Sequence, residues 1–139
     1  MIILDTNVLS ALMGQRPDLA ITSWLDRQPR ESMWTSSVTI MEIRFGLGTM
    51  ARGRRREALV AAFERLVDEG IEHRVAVFDQ GAAEHAAALM VARKSTGRLG
   101  DLRDTMIAGI ALARRAALAT RNVKHFDDAG LDLVNPWEA

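Results

Sequence analysis

The chain has 139 residues, 48% of them hydrophobic and 26% charged, the balance of a single soluble domain (1–139) able to close one core. It contains no cysteine, which excludes disulfides, thiolate zinc sites and a cysteine nucleophile. Its 18 basic and 18 acidic residues cancel, so no global field draws it towards nucleic acid.

Ile2-Ile3-Leu4 is a short apolar run that ends in Asp5-Thr6-Asn7, a buried strand followed by polar turn chemistry. A helix is predicted from near Val8, and a second from Pro17-Asp18 to about Gln28, where Pro29 stops it. Met33-Trp34-Thr35 reads as the second strand. Ser36 or Ser37 then caps a helix to about Leu47, which Gly46 and Gly48 are expected to end. Arg54 to Glu69 carries Leu59, Ala62, Phe63, Leu66 and Val67 along one helical face. Val75 to Phe78 is a strand, Asp79 to about Ser95 an alanine-rich helix, and Thr96 to Gly100 its loop. Asp101 to Arg115 is helical, Ala117-Leu118-Ala119 a strand, and Leu133-Val134 a last short one. Strands alternating with helices, without hairpin signals, predict an α/β fold with a central parallel β-sheet flanked by α-helices. No apolar run approaches the 18 residues that suggest a membrane span. The N-terminus lacks the basic start and long apolar stretch of a signal peptide, which predicts a cytoplasmic protein.

In open parallel sheets, ligands bind beyond the carboxyl ends of the strands, and Asp5 stands there. It is equally suited to capping the helix that follows. Glu42 shares a helical face with Val38 and Phe45, beside Gly46. A carboxylate on such a stripe is costly to desolvate without a partner, which is either an arginine (Arg44, or one from another helix) or a metal ion. Asp104 heads a stripe continued inward by Ile107, Ala108 and Ala111, and also sits at the positive end of its helix dipole. Asp101, three residues earlier, has the better capping position. Thr120-Arg121-Asn122 follows another strand and supplies hydroxyl and amide oxygens, or an ordinary turn. Three carboxylates in one cleft repel unless a divalent cation neutralises them, and oxygen donors select Mg²⁺ or Mn²⁺. Such an ion activates water against a phosphodiester. Sixteen of the basic residues are arginines, whose planar fork suits phosphate, with lysine only at 94 and 124. His73, His85 and His125 are scattered, without metal-binding spacing, and read as surface or loop residues.

Four segments in order, Met1–Ser10, Ser37–Gly46, Asp104–Ala111 and Ala119–Phe126, resemble those of the PIN-domain nucleases, specifically the VapC-type toxins of bacterial toxin–antitoxin pairs. The resemblance implies a PIN-like fold and a ribonuclease in which Asp5, Glu42 and Asp104 bind Mg²⁺ or Mn²⁺. Thr6, Thr120 and Asn122 would lie beside them, and Arg121 would touch substrate phosphate, with Arg98 or Arg103 at the rim. It further implies a homodimer and a cognate VapB-type antitoxin that fills the active-site groove. Many PIN domains carry a fourth acid where this chain has Asn122, so one firmly held ion is expected, with any second arriving with the RNA. Two other enzymes fit less well. A haloacid-dehalogenase-type phosphatase needs a second Asp where Asn7 stands, and a receiver domain needs a lysine better placed than Lys124. A PIN domain that binds RNA or protein without cutting would lack one of the acids, and all three are present.

Overall fold

A strand buried on both faces has to be apolar at successive positions, and Ile2-Ile3-Leu4 meets that condition with alternate side chains pointing to opposite faces. The computed structural model describes residues 1–139 and places this segment, β1 (Ile2–Leu4), at the centre of a five-stranded sheet. The others are β2 (Met33–Ser36), β3 (Val75–Ala76), β4 (Ala117–Ala119) and β5 (Leu133–Val134), in the order β3-β2-β1-β4-β5 and all parallel. Ile2 registers with Met33 on one side and Ala117 on the other. Thr35, fully buried, donates its hydroxyl to the Leu4 carbonyl at 2.9 Å and ties β2 to the end of β1.

Six helices cover the sheet: α1 (Thr6–Met13), α2 (Leu19–Asp26), α3 (Ser37–Thr49), α4 (Arg54–Arg65), α5 (Gln80–Ser95) and α6 (Leu102–Arg114). Strand alternation divides the core in two. Ile3 and Leu118 face a cluster with Ala82 and Leu89 of α5 and Ile107, Ala108 and Ala111 of α6. Leu4 and Ala119 face the opposite cluster, with Val8 and Leu9 of α1, Ile21 and Trp24 of α2, Ile43 and Leu47 of α3 and Phe63 of α4. The α5–α6 pair is unusually close because Gly109 lies against α5. A Cβ there would strike the Ala82 carbonyl oxygen and stand 2.9 Å from the Ala86 Cβ. Small residues on both helices therefore set their separation, and with it the height of the first turn of α6.

Several boundaries differ from those read in the sequence. Helix α1 starts at Thr6 rather than near Val8, because Asp5 caps it. Helix α3 runs through Gly46 and Gly48 to Thr49, neither glycine needing a positive φ. The predicted helix over 54–69 changes at Leu66 into a π-turn, Leu66–Gly70, and β3 is shorter than predicted. Phe45 is not on the inward stripe of α3. It is 69% exposed, and the buried positions are Val38, Thr39, Ile43 and Leu47.

Candidate active site

The strand order reverses between β1 and β4, the position at which open α/β sheets leave a crevice beyond the strand ends. Asp5 leaves β1 there and Thr120 leaves β4. Their side chains meet, the Thr120 hydroxyl donating to Asp5 Oδ2 at 2.7 Å. Asp5 Oδ1 accepts the Thr6 N–H at 2.8 Å as the cap of α1, and Asn7 Nδ2 donates to Oδ2 at 3.3 Å. The Asp5 carboxylate is thus supplied with hydrogen bonds but has no ion-pair partner, and only 3% of the residue is exposed. Burial pushes its carboxyl above the ordinary aspartate range. The bonds from Thr120 and Thr6 pull the other way, and the charges of Asp104 and Glu42 push it up again.

Glu42 comes from α3, whose cap Ser36 accepts the Thr39 N–H at 3.1 Å and so fixes the phase of the helix. Thr6 Oγ1 donates to Glu42 Oε1 at 2.8 Å and lies 3.0 Å from Thr39 Oγ1. A hydroxyl chain therefore joins α1 to α3 beneath the acid. The other oxygen, Oε2, lies 3.6 Å from Nη1 of Arg103 on α6, so the arginine partner expected of Glu42 comes from another helix. Arg44 points elsewhere, to Glu64 and over the Phe63 ring.

Asp104 stands in the first turn of α6, and its Oδ2 lies 3.0 Å from His125 Nδ1. Asp101 is the cap: its Oδ1 accepts the N–H groups of Arg103 at 2.8 Å and Asp104 at 3.3 Å. Desolvation is the largest single influence and pushes the Asp101 carboxyl up, but those two bonds and the Arg103 guanidinium together outweigh it and hold the group below its usual range. Helical phase had separated these two aspartates in the same way. Behind the site, Arg93 is buried and donates to both oxygens of Asp128 at 2.9 Å, to the His125 carbonyl at 2.8 Å and to Thr105 Oγ1 at 3.0 Å. It braces the segment carrying His125 against the residue that follows Asp104.

The remaining predicted residues are close but play different parts. Thr120 is buried and central. Asn122 enters the network through its backbone N–H, which donates to Thr120 Oγ1 at 3.0 Å. The Arg121 N–H donates to Asn7 Oδ1, while its guanidinium lies 4.8 Å over the Trp137 ring. Arg98 is paired with Asp127. Three contributors escaped the sequence reading: Asn7, which stitches Asp5 to the β4 end, Thr39, and His125. Asn7 had a local signal, two positions after Asp5. His125 had none, because its contact with Asp104 spans 21 positions.

The donor set suits a hard cation. All three carboxylates and the nearby Thr6 and Thr120 hydroxyls offer oxygen, and Asp5 is a buried charge without a counter-ion. In this structure the acids are not drawn into a closed cage of three metal-ligating side chains. Glu42 and Asp104 face Arg103 and His125 instead.

Residues 2–130 match the PIN domain family model. The chain is 41% identical to "VapC ribonuclease Y4jK" of Sinorhizobium fredii, covering 99% of each chain. It is 29% identical to "Toxin FitB" of Neisseria gonorrhoeae, again over 99% of each. Among solved structures, FitAB bound to an IR36 DNA fragment superposes with a TM-score of 0.88 at 29% identity, covering 99% of this chain and 96% of that one. VapBC-1 from nontypeable Haemophilus influenzae gives 0.77 at 28%, with complete coverage of both.

Proposed function

The chain belongs to the PIN-domain family, and from that premise we propose that it is a ribonuclease toxin of a toxin–antitoxin pair. It hydrolyses RNA phosphodiester bonds with Mg²⁺ or Mn²⁺, acts in the cytoplasm as a homodimer, and is restrained by a cognate VapB-type antitoxin. The observation that carries the catalytic reading is Asp5. A buried carboxylate without a cation, at the switch point of the sheet and repelled by two further acids, is costly to maintain for folding alone. The partner is supported by the likeness to FitAB and VapBC complexes over nearly the whole chain.

Asp5, Glu42 and Asp104 would hold the ion. When bound, it supplies charge neutralisation for a phosphodiester under attack and makes water acidic enough to act as a nucleophile near neutral pH. The chain's own residues do the positioning. Thr120 and Asn7 fix the Asp5 carboxylate, Thr6 fixes Glu42 and is itself held by Thr39, and the Arg93 brace fixes the first turn of α6 relative to His125. Arg121 follows Thr120 directly, with its guanidinium 4.8 Å over the Trp137 ring, and from there would meet phosphate.

A labelled RNA panel tests this. Cleavage is expected with Mg²⁺ or Mn²⁺, none with excess EDTA, and recovery when the ion is restored. Cleavage that persists in EDTA after repurification would overturn the metal mechanism. RNA binding without products under every metal condition would overturn the nuclease.

A further inference from the structure

Three arginines approach the acids, and they are held very differently. Arg93 is buried under four hydrogen bonds and cannot move without breaking the brace. Arg98 is taken up by Asp127 and the Lys124 carbonyl. Arg103 is half exposed and makes only long contacts, Nη1 to Glu42 Oε2 at 3.6 Å and Nε to Asp101 Oδ1 at 3.6 Å. Its guanidinium therefore lies between two carboxylates of unlike standing. Glu42 belongs to the inner acid group, with its side chain 19% exposed, whereas the Asp101 carboxylate caps α6 and is 48% exposed.

We propose that Arg103 is the resident counter-ion of the acid group, neutralising Glu42 in the ion-free protein and withdrawing to Asp101 when a divalent cation takes that carboxylate. The inference rests on the metal-dependent reading of the site. A guanidinium and a divalent cation on one carboxylate repel each other, so each occupies Glu42 at the expense of the other. Arg103 is suited to yield. Its contact with Glu42 is long and solvated, hence weak, and Asp101 is already within reach, so withdrawal does not strand the charge. The same pairing accounts for Glu42 being turned to Arg103 instead of closing a cage with Asp5 and Asp104. Cation loading thus becomes an exchange of one positive charge for another, which protects the ion-free fold from three facing acids.

Calorimetric titration with Mn²⁺ alone, without RNA, tests this on the full chain, its Arg103→Gln and Asp101→Asn variants, and the double variant. Arg103→Gln is expected to tighten Mn²⁺ binding about tenfold, the scale of one nearby charge acting on a divalent ion. Asp101→Asn, which keeps a capping oxygen, is expected to weaken Mn²⁺ binding severalfold in the parent and much less in the Arg103→Gln background. That difference isolates the withdrawal site from a general field effect. Unchanged or weaker binding in Arg103→Gln overturns the proposal, and so do strictly additive effects. If the parent binds Mn²⁺ but cuts no RNA, the nuclease reading fails while the Arg103 result stands.

Discussion

Asp5 carries two duties that would ordinarily conflict. As the cap of α1 it stabilises the fold, accepting the Thr6 N–H. As a buried carboxylate facing Glu42 and Asp104 it strains the same fold. The sign of the strain follows from linkage. Burial and the two neighbouring charges raise the folded-state pKa, so the folded protein binds the Asp5 proton more tightly than the unfolded chain does. Stability from this group is fully present below the unfolded aspartate value and is lost as pH rises through the raised folded value. Asp5→Asn keeps an oxygen for the Thr6 N–H while removing the charge. We expect it to abolish cleavage and to melt higher than the parent in EDTA at neutral pH, with the gap closing as pH falls through the carboxylate range. Mg²⁺ should raise the melting temperature of the parent but not of the variant. An Asp5→Asn protein that melts lower than its parent at neutral pH would mean that capping outweighs repulsion.

Helix α6 places two aspartates three positions apart and gives them separate work. Asp101, the cap, accepts the N–H groups of Arg103 and Asp104 in the first turn, and Asp104 points to the acid group and His125. Losing the cap, as in Asp101→Ala, should cost about 0.5–2 kcal/mol of stability and leave cleavage intact at saturating Mg²⁺, the lost Arg103 partner raising only the ion concentration required. Asp104→Asn should be inactive with ion-free stability preserved, because one member of a repelling group has gone. Cleavage assays paired with thermal melts separate the two, and a dead Asp101→Ala beside a live Asp104→Asn would exchange their roles. This division was legible in the sequence because 100° phasing is local information, as was the strand-end place of Asp5. The positions of the strands, the parallel sheet and the order of the acids were legible for the same reason. What stayed hidden was set by contacts between distant segments. Phe45 looked inward by periodicity, but the buried stripe of α3 runs through Val38, Thr39 and Ile43. Which arginine from another helix would meet Glu42, and that His125 would meet Asp104, stayed open because only packing of α6 against α3 and the 123–128 segment brings Arg103 and His125 there.

At the scale of the molecule, the apolar residues left outside both cores indicate how the chain is used. No helix is long and apolar enough to cross a membrane. Met41 and Phe45 lie one turn apart on the outer side of α3, 51% and 69% exposed, on either side of Glu42 in sequence. Met90 and Val91 are likewise exposed on α5. Large apolar side chains at adjacent helical positions are disfavoured in water unless something covers them, and the homodimer proposed above would supply the cover. Because Glu42 shares α3 with this strip, an interface there would stiffen the helix that presents one of the proposed metal-binding acids. Light scattering on the purified chain should therefore give twice the 15.3 kDa chain mass at micromolar concentration. Phe45→Glu should shift the mass to that of one chain while leaving the ion-free melt within about 1 kcal/mol of the parent, since an exposed side chain supports no core. Its cleavage rate should then fall with Mn²⁺ affinity little changed, because Thr6, backed by Thr39, still holds Glu42 within each chain. A parent that scatters as a single chain at tens of micromolar would rule out the homodimer, and a Phe45→Glu protein that remains paired would move the interface off α3.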